Sequence, residues 1–241
     1  MRHTILAIAS LSIALIGCTQ DEEVAAEPVK FNVNLENISA EGDLVPSSGD
    51  PTNIMFAPGI LIVHDDAFAL FNDGEPSLFP GFEAMVEDGS NAGLIDDLNG
   101  EGGVVSAESY AALDESYADA PMLPGERATM SLEAIPGDFL TVATMFGESN
   151  DVFVAAIAIP LFDADGNAED IDASADLTLW DAGTEMNEEP GLGENQAPRQ
   201  PAPASGDAEN GNVVEINGTD ASGFVYPAAS DMLSLRITLA E

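Results

Sequence analysis

The sequence predicts an all-β protein, an antiparallel β-sandwich of about eight strands with one or two short helices in its loops. Three observations predict it. Short stretches rich in β-branched and aromatic residues either alternate apolar with polar or run almost continuously apolar. Turn-forming Gly, Pro, Asn and Asp residues separate them. The strand–helix–strand rhythm that builds parallel sheets is missing from the pattern.

Residues 30–38 (KFNVNLENI) alternate, with Phe31, Val33 and Leu35 on one face, the pattern of a half-buried strand. Ala57-Pro58-Gly59 turns the chain into a β-branched run at 60–64 (ILIVH), and Asn72-Asp73-Gly74 marks a further turn. Residues 81–88 (GFEAMVED) have helical spacing and stop at Gly89; 94–98 is a second helical candidate. The Gly-, Ser- and Ala-rich stretch 100–125 is expected to hold a short helix over 107–113. Residues 128–134 (ATMSLEA) alternate, Pro136-Gly137-Asp138 turns, and 139–145 (FLTVATM) and 151–161 (DVFVAAIAIPL) read as strands. A loop over 162–172 leads to a strand at 177–180 (LTLW). The Pro-, Gly- and Asn-rich excursion 186–212 is far longer than the usual connection of about 4–6 residues. Strands at 213–216 and 233–239 close the chain, and the first and last strands are expected in one sheet.

The 241 residues suffice for one large domain, and 45% hydrophobic residues can build its core. Charge is the outlier, with 44 Asp and Glu against 5 Lys and Arg, a formal net charge of −39. Such a surface cannot displace phosphate counterions, which excludes a nucleic-acid binder, and it argues against electrostatic docking on anionic lipid. A mean hydropathy of +0.07 is too high for a disordered acidic tail. The acids are spread along the chain and read as a solvated, self-repelling surface that salt would screen. One cysteine allows no intramolecular disulfide.

That cysteine has a particular place. Residues 1–17 carry a positive charge at Arg2 and an apolar run from Ile5 to Ile16, the pattern of a secretory signal. The run ends Leu15-Ile16-Gly17-Cys18, which looks like a bacterial lipobox, so Cys18 is the expected acylation site and the membrane would be met through it alone. Residues 18–29 then read as an acidic tether. Thr19 stands where an aspartate would favour inner-membrane retention, so the expected address is the cell envelope, lipid-anchored at the outer membrane.

An ordered set of motifs over 30–241 resembles the spondin domain, a module of animal spondins that also occurs in bacterial secreted and lipid-anchored proteins. The set comprises Phe31-Asn32-Val33, Ala57-Pro58-Gly59, Gly81-Phe82-Glu83 with Glu87-Asp88-Gly89, Ala143-Thr144-Met145, Ser149-Asn150-Asp151, and Trp180-Asp181-Ala182-Gly183-Thr184-Glu185. The resemblance implies a C2-like β-sandwich with one bound Ca²⁺. Its implied ligands are Asp151, Asp181 and Glu185. Glu185 stands where aspartate is usual, the insertion after Met186 is long, and the animal disulfides are missing.

The residue chemistry points the same way. Calcium takes 6–8 oxygens, commonly from carboxylates on separate chain segments. Asp181 and Glu185 flank Gly183, which allows a tight turn that could present a carbonyl inward. Asp151 begins an apolar strand and is thereby held at a sheet end. With no His or Cys beside these acids, zinc and copper are disfavoured. The EF-hand-like run Asp163-Ala164-Asp165-Gly166-Asn167 has its glycine at the fourth position rather than the sixth, and reads as a hairpin turn. His64 ends an apolar run with no nucleophile motif to accompany it, and reads as a structural histidine.

The sequence thus favours a non-catalytic, lipid-anchored recognition or adhesion module organised by calcium. Its partner would be an envelope or extracellular protein or glycan, met through the 186–212 excursion. Two alternatives stand beside it: a structural envelope lipoprotein that calcium stabilises, and a hydrolase of envelope polymers using paired acids.

Overall fold

A computed structural model describes residues 26–111 and 120–240. The signal segment, Cys18 and most of the tether lie outside the described residues. No helix among those described is long and apolar enough to cross a membrane.

The described chain is an all-β sandwich of two antiparallel sheets, with strands β1 (Val29–Asn37), β2 (Gly59–His64), β3 (Val104–Tyr110), β4 (Arg127–Ala134), β5 (Phe139–Met145), β6 (Val152–Pro160), β7 (Ile171–Asp172), β8 (Thr178–Asp181), β9 (Val214–Glu215) and β10 (Leu233–Leu239). One sheet runs β4-β1-β10-β7 and the other β3-β2-β5-β6-β8-β9. The first and last strands pair as the sequence predicts, with Val33 opposite Ile237. Alternation places Phe31, Val33 and Leu35, all 0% exposed, between the sheets against Leu61, Val142 and Val154 of the facing sheet.

The continuous apolar runs have a different cause. Helices α1 (Gly81–Asp88) and α2 (Ala92–Leu98) pack on the outer face of the six-stranded sheet and make a third layer. There Phe82, Met85 and Leu94 meet Ile60, Ile62 and Phe153. Phe153 stands edge-on to both Phe82 and Phe71, with centroids 5.2 and 5.3 Å apart. Strands β2, β5 and β6 are therefore buried on both faces, which is why they do not alternate. A short helix α3 (Ala229–Met232) leads into β10.

Three local expectations are corrected or refined. The helix expected over 107–113 is strand β3 up to Tyr110, and 112–113 lie outside the described residues. Its Ser and Ala residues have no strong preference of their own, and the ladder to β2, with Ile62 opposite Ala107, satisfies their backbone. The loop 162–172 contains the expected turn, in which Asp163 accepts from the amides of Asp165 and Asn167, and then adds the two-residue β7. These additions bring the expected eight strands to ten.

His64 is a buried prop. Its Nδ1 lies 2.8 Å from the Asp65 carbonyl, which can only accept, so Nδ1 carries the proton. Nε2 then accepts from the Thr141 hydroxyl at 2.8 Å, and Thr141 Oγ1 in turn accepts from the Ala158 amide. Ala158 has φ 51° in a bulge of β6, a conformation that this chain of bonds supports.

Candidate functional site

One end of the sandwich gathers most of the buried acids among the described residues. The β5–β6 connection, residues 146–151, is buried throughout, so its backbone must find partners within the protein. The Phe146 amide donates to the Val152 carbonyl, the Gly147 amide to the Met55 carbonyl, and the Gly191 amide to the Glu148 carbonyl. The Ser149 hydroxyl donates to the Phe146 carbonyl at 2.6 Å. A tight, fixed turn results, and Asp151 leaves it with no exposed surface.

Asp181 ends β8 directly beside this turn, because Val152 is its register partner. Its Oδ1 accepts from the Gly183 amide at 2.8 Å and its Oδ2 from the Asn187 side-chain amide at 2.7 Å. Gly183 has φ 66°, and a Cβ there would stand 2.6 Å from the Asn212 carbonyl oxygen, so the turn needs glycine. Two of the turn's carbonyls are engaged by the returning excursion rather than by the acids. Those of Gly183 and Thr184 accept from the Gly211 and Glu209 amides of the returning excursion.

The turn's amides do face Asp151. Its Oδ2 accepts from the Thr184 amide at 2.7 Å, the Glu185 amide at 3.0 Å and the Thr184 hydroxyl at 3.2 Å. Its Oδ1 is buried with no partner, and so is Asn187 Oδ1. Burial, then the charge of Asp181, push the Asp151 carboxyl up to about 8 against the pull of those donors. Burial also raises Asp181, with Asp220 adding to it while Gly183 and Asn187 oppose.

Glu185 reaches the same end but keeps other company. Its Oε2 accepts from the Asn150 side chain at 3.1 Å, and the Gly206 amide also holds the carboxylate. Burial raises its pKa, and Glu188 and Asp88 are its charged neighbours. The three expected ligands are thus brought to one end, with Asp151 and Asp181 side by side and the Glu185 carboxylate turned toward α1. Among the described residues no three His, Cys, Asp or Glu side chains are gathered as a metal ion would gather them. What is present suits a hard cation in kind: every donor is oxygen, and two buried oxygens have no partner.

Sequence reasoning missed several neighbours. Glu87, only 4% exposed, closes the end of α1; burial raises it to about 7, the Thr184 side chain opposes, and Glu185 adds to the rise. Glu148, 1% exposed, is paired with Arg199 at 2.8 Å. Glu87 stands in one of the quoted motifs with no role assigned to it, and nothing in the pattern marks Glu148 among 44 acids; only the fold brings both to this site.

The excursion 186–212 has no regular strand, yet it is tied down along its length. Glu189 accepts from the Ser47 amide and hydroxyl, at 2.5 and 2.7 Å. Gln196 is wholly buried, Arg199 holds Glu148, and the Gln200 side chain donates to Asp88 at 2.9 Å. It forms a strap across the acidic end. No family model matches the chain, and no curated protein matches it.

Proposed function

We propose that this protein is a non-catalytic, calcium-binding module of the cell envelope, carried on an acylated Cys18 and serving adhesion or surface recognition. One observation carries the calcium reading: the wholly buried Asp151, its Oδ1 unpartnered, lies beside a second buried acid, Asp181, with only neutral dipoles to offset them. A divalent cation supplies the missing positive charge, and a hard one matches the oxygen donors. Asp151 and Asp181 would hold it, with Glu185 swung from Asn150 as third carboxylate. When bound, the ion supplies charge neutralisation; the chain itself orients the acids, through the Thr184 and Glu185 amides on Asp151 and the Gly183 amide on Asp181. The resemblance to the spondin domain supports the same residues and the recognition role.

A second reading, a structural lipoprotein that calcium stabilises, draws on the strap. Its polar side chains are engaged with the body, at Glu189, Arg199 and Gln200, more than they are offered to a partner. Titration calorimetry with Ca²⁺ on chelator-treated protein tests the metal, expecting saturable heat and a raised melting temperature. No heat and no shift would remove it. Capture of envelope components by the intact protein, compared with a variant lacking residues 192–210, separates recognition from stabilisation.

A further inference from the structure

The two flanks of the sandwich are finished differently. On one flank the edge strands are β7 and β9, two residues each. Very short edge strands are a standard way of denying a foreign strand a template. On the other flank the edges are β3 and β4, seven and eight residues long, and neither outer edge pairs with anything among the described residues. β3 carries one charge, Glu108, and no proline or lysine. Its bulge lies at its start, where Val104 pairs with His64 and Val105 with nothing, which leaves 106–110 in regular register with β2. Val105 is 59% exposed.

A groove of about 380 Å³ opens between the two edges, lined by Leu61, Val105, Ser106 and Glu108 on one lip and by Leu132 and Glu133 on the other. Lys30 also lines the groove, opposite Glu133 in the β1–β4 register, so with Glu108 and Glu133 the lining holds two acids and one lysine, one net negative charge. The wider surface belongs to a chain of net charge −39. A second copy would bring the same charge to the contact and be repelled.

We infer that the β3 edge is a docking site for an extended, cationic segment of a partner protein, which adds to the six-stranded sheet as a further strand. Backbone hydrogen bonds along 106–110 give the affinity, and alternate Lys or Arg side chains meet Glu108 and the acidic surface beyond it. Five residues in register span about 17 Å, so a segment of seven suffices. The site is on the opposite flank from β9 and does not depend on calcium.

Hydrogen exchange followed by NMR on the full folded chain tests it, with the synthetic peptide Lys-Val-Lys-Val-Lys-Val-Lys as probe. In the free protein, outward-facing amides of 106–110 are expected to exchange at least tenfold faster than those of central β5. The peptide is expected to slow them at least tenfold, leaving β9 unchanged, while an isomer of that peptide with its central valine replaced by proline does not. Glu108→Lys, an exposed change that spares the core, is expected to weaken binding several-fold. Val105→Pro, just before that stretch and outside the β2 ladder, is expected to weaken it several-fold with the melting temperature retained. Amides already protected in the free protein, equal action by the proline peptide, slowing confined to other strands, or self-association through this edge would each overturn the inference.

Discussion

The sharpest consequence of the buried acids is that, without metal, Asp151 should weaken the fold at neutral pH and strengthen it in acid. In the unfolded chain its carboxyl ionises near 3.8, and in the folded protein burial and Asp181 move that to about 8. A group with a raised folded pKa favours the protonated native state. Its stabilising contribution is complete below 3.8 and is lost as pH climbs toward 8. At pH 7 the unfolded carboxylate lies about three units above its pKa while the folded one is still largely protonated, a cost of about 4 kcal/mol. At pH 5 the same reckoning gives about 2 kcal/mol.

Asp151→Asn removes that titration. The new Oδ1 can still accept from Thr184 and Glu185, while its Nδ2 replaces the unpartnered oxygen and costs about 1–3 kcal/mol if it stays unsatisfied. In chelator at pH 7 the variant is therefore expected to be about 1–3 kcal/mol more stable than the parent. At about 2–4 °C per kcal/mol for a domain of this size, that is a rise of several degrees. Differential scanning calorimetry between pH 5 and 9 reads both effects: a parent that melts earlier as pH rises, and a variant with a shallower slope. Millimolar Ca²⁺ should reverse the ranking at pH 7, since the parent gains the ion and the variant loses a ligand. A variant less stable than the parent in chelator, with the same pH slope, would refute the reasoning.

Three further outcomes follow from the packing around this end. Arg199→Met strands the buried Glu148 carboxylate and should cost about 1–3 kcal/mol, a figure discounted for the partly exposed guanidinium; urea midpoints read it, and Glu148→Gln in the same chain should recover most of the loss. Gly206→Ala places a Cβ on the Glu185 carboxylate, so the strap must shift, and faster proteolysis within 186–212 is expected with a cost of about 1–3 kcal/mol. Phe153→Ala opens the layer between α1 and the six-stranded sheet and should cost about 3–5 kcal/mol by chemical denaturation.

Strand positions were legible wherever local pattern and tertiary environment agreed. Phe31, Val33 and Leu35 alternate because β1 has one face on the core, and 81–88 is helical because Phe82, Met85 and Val86 share a buried side. β3 was not legible. Val104 to Tyr110 carries two serines, an alanine and a glutamate, and only the vacancy beside β2 makes it a strand. At the site, the resemblance singled out Asp151 and Asp181, and the apolar pattern placed each of them at a strand end, where the fold has them. Where the Glu185 carboxylate points was hidden, since it depends on Asn150 and on Gly206, 21 positions further along the strap. The places of Glu87 and Glu148 beside this turn were hidden for a compositional reason: burial alone distinguishes them from the solvated majority.

Seven acids are buried among the described residues: Glu87, Asp138, Glu148, Asp151, Asp181, Glu185 and Asp220. A buried carboxylate survives only with a compensating charge or a set of donors. Glu148 has Arg199. Asp138 takes the Ile135 amide, and Asp220 takes the Phe224 amide and the Tyr226 hydroxyl. The remaining four have only neutral donors, and each is pushed upward in pKa. They are also the four set around one turn, 181–185, with Asp151 on its amides and Glu87 against Thr184. A chain with 44 acids has ample surface on which to leave four more in water. Placing them instead where they repel one another is destabilising unless they take up protons or a cation joins them, and a calcium-linked rise in stability is the measurable form of the second.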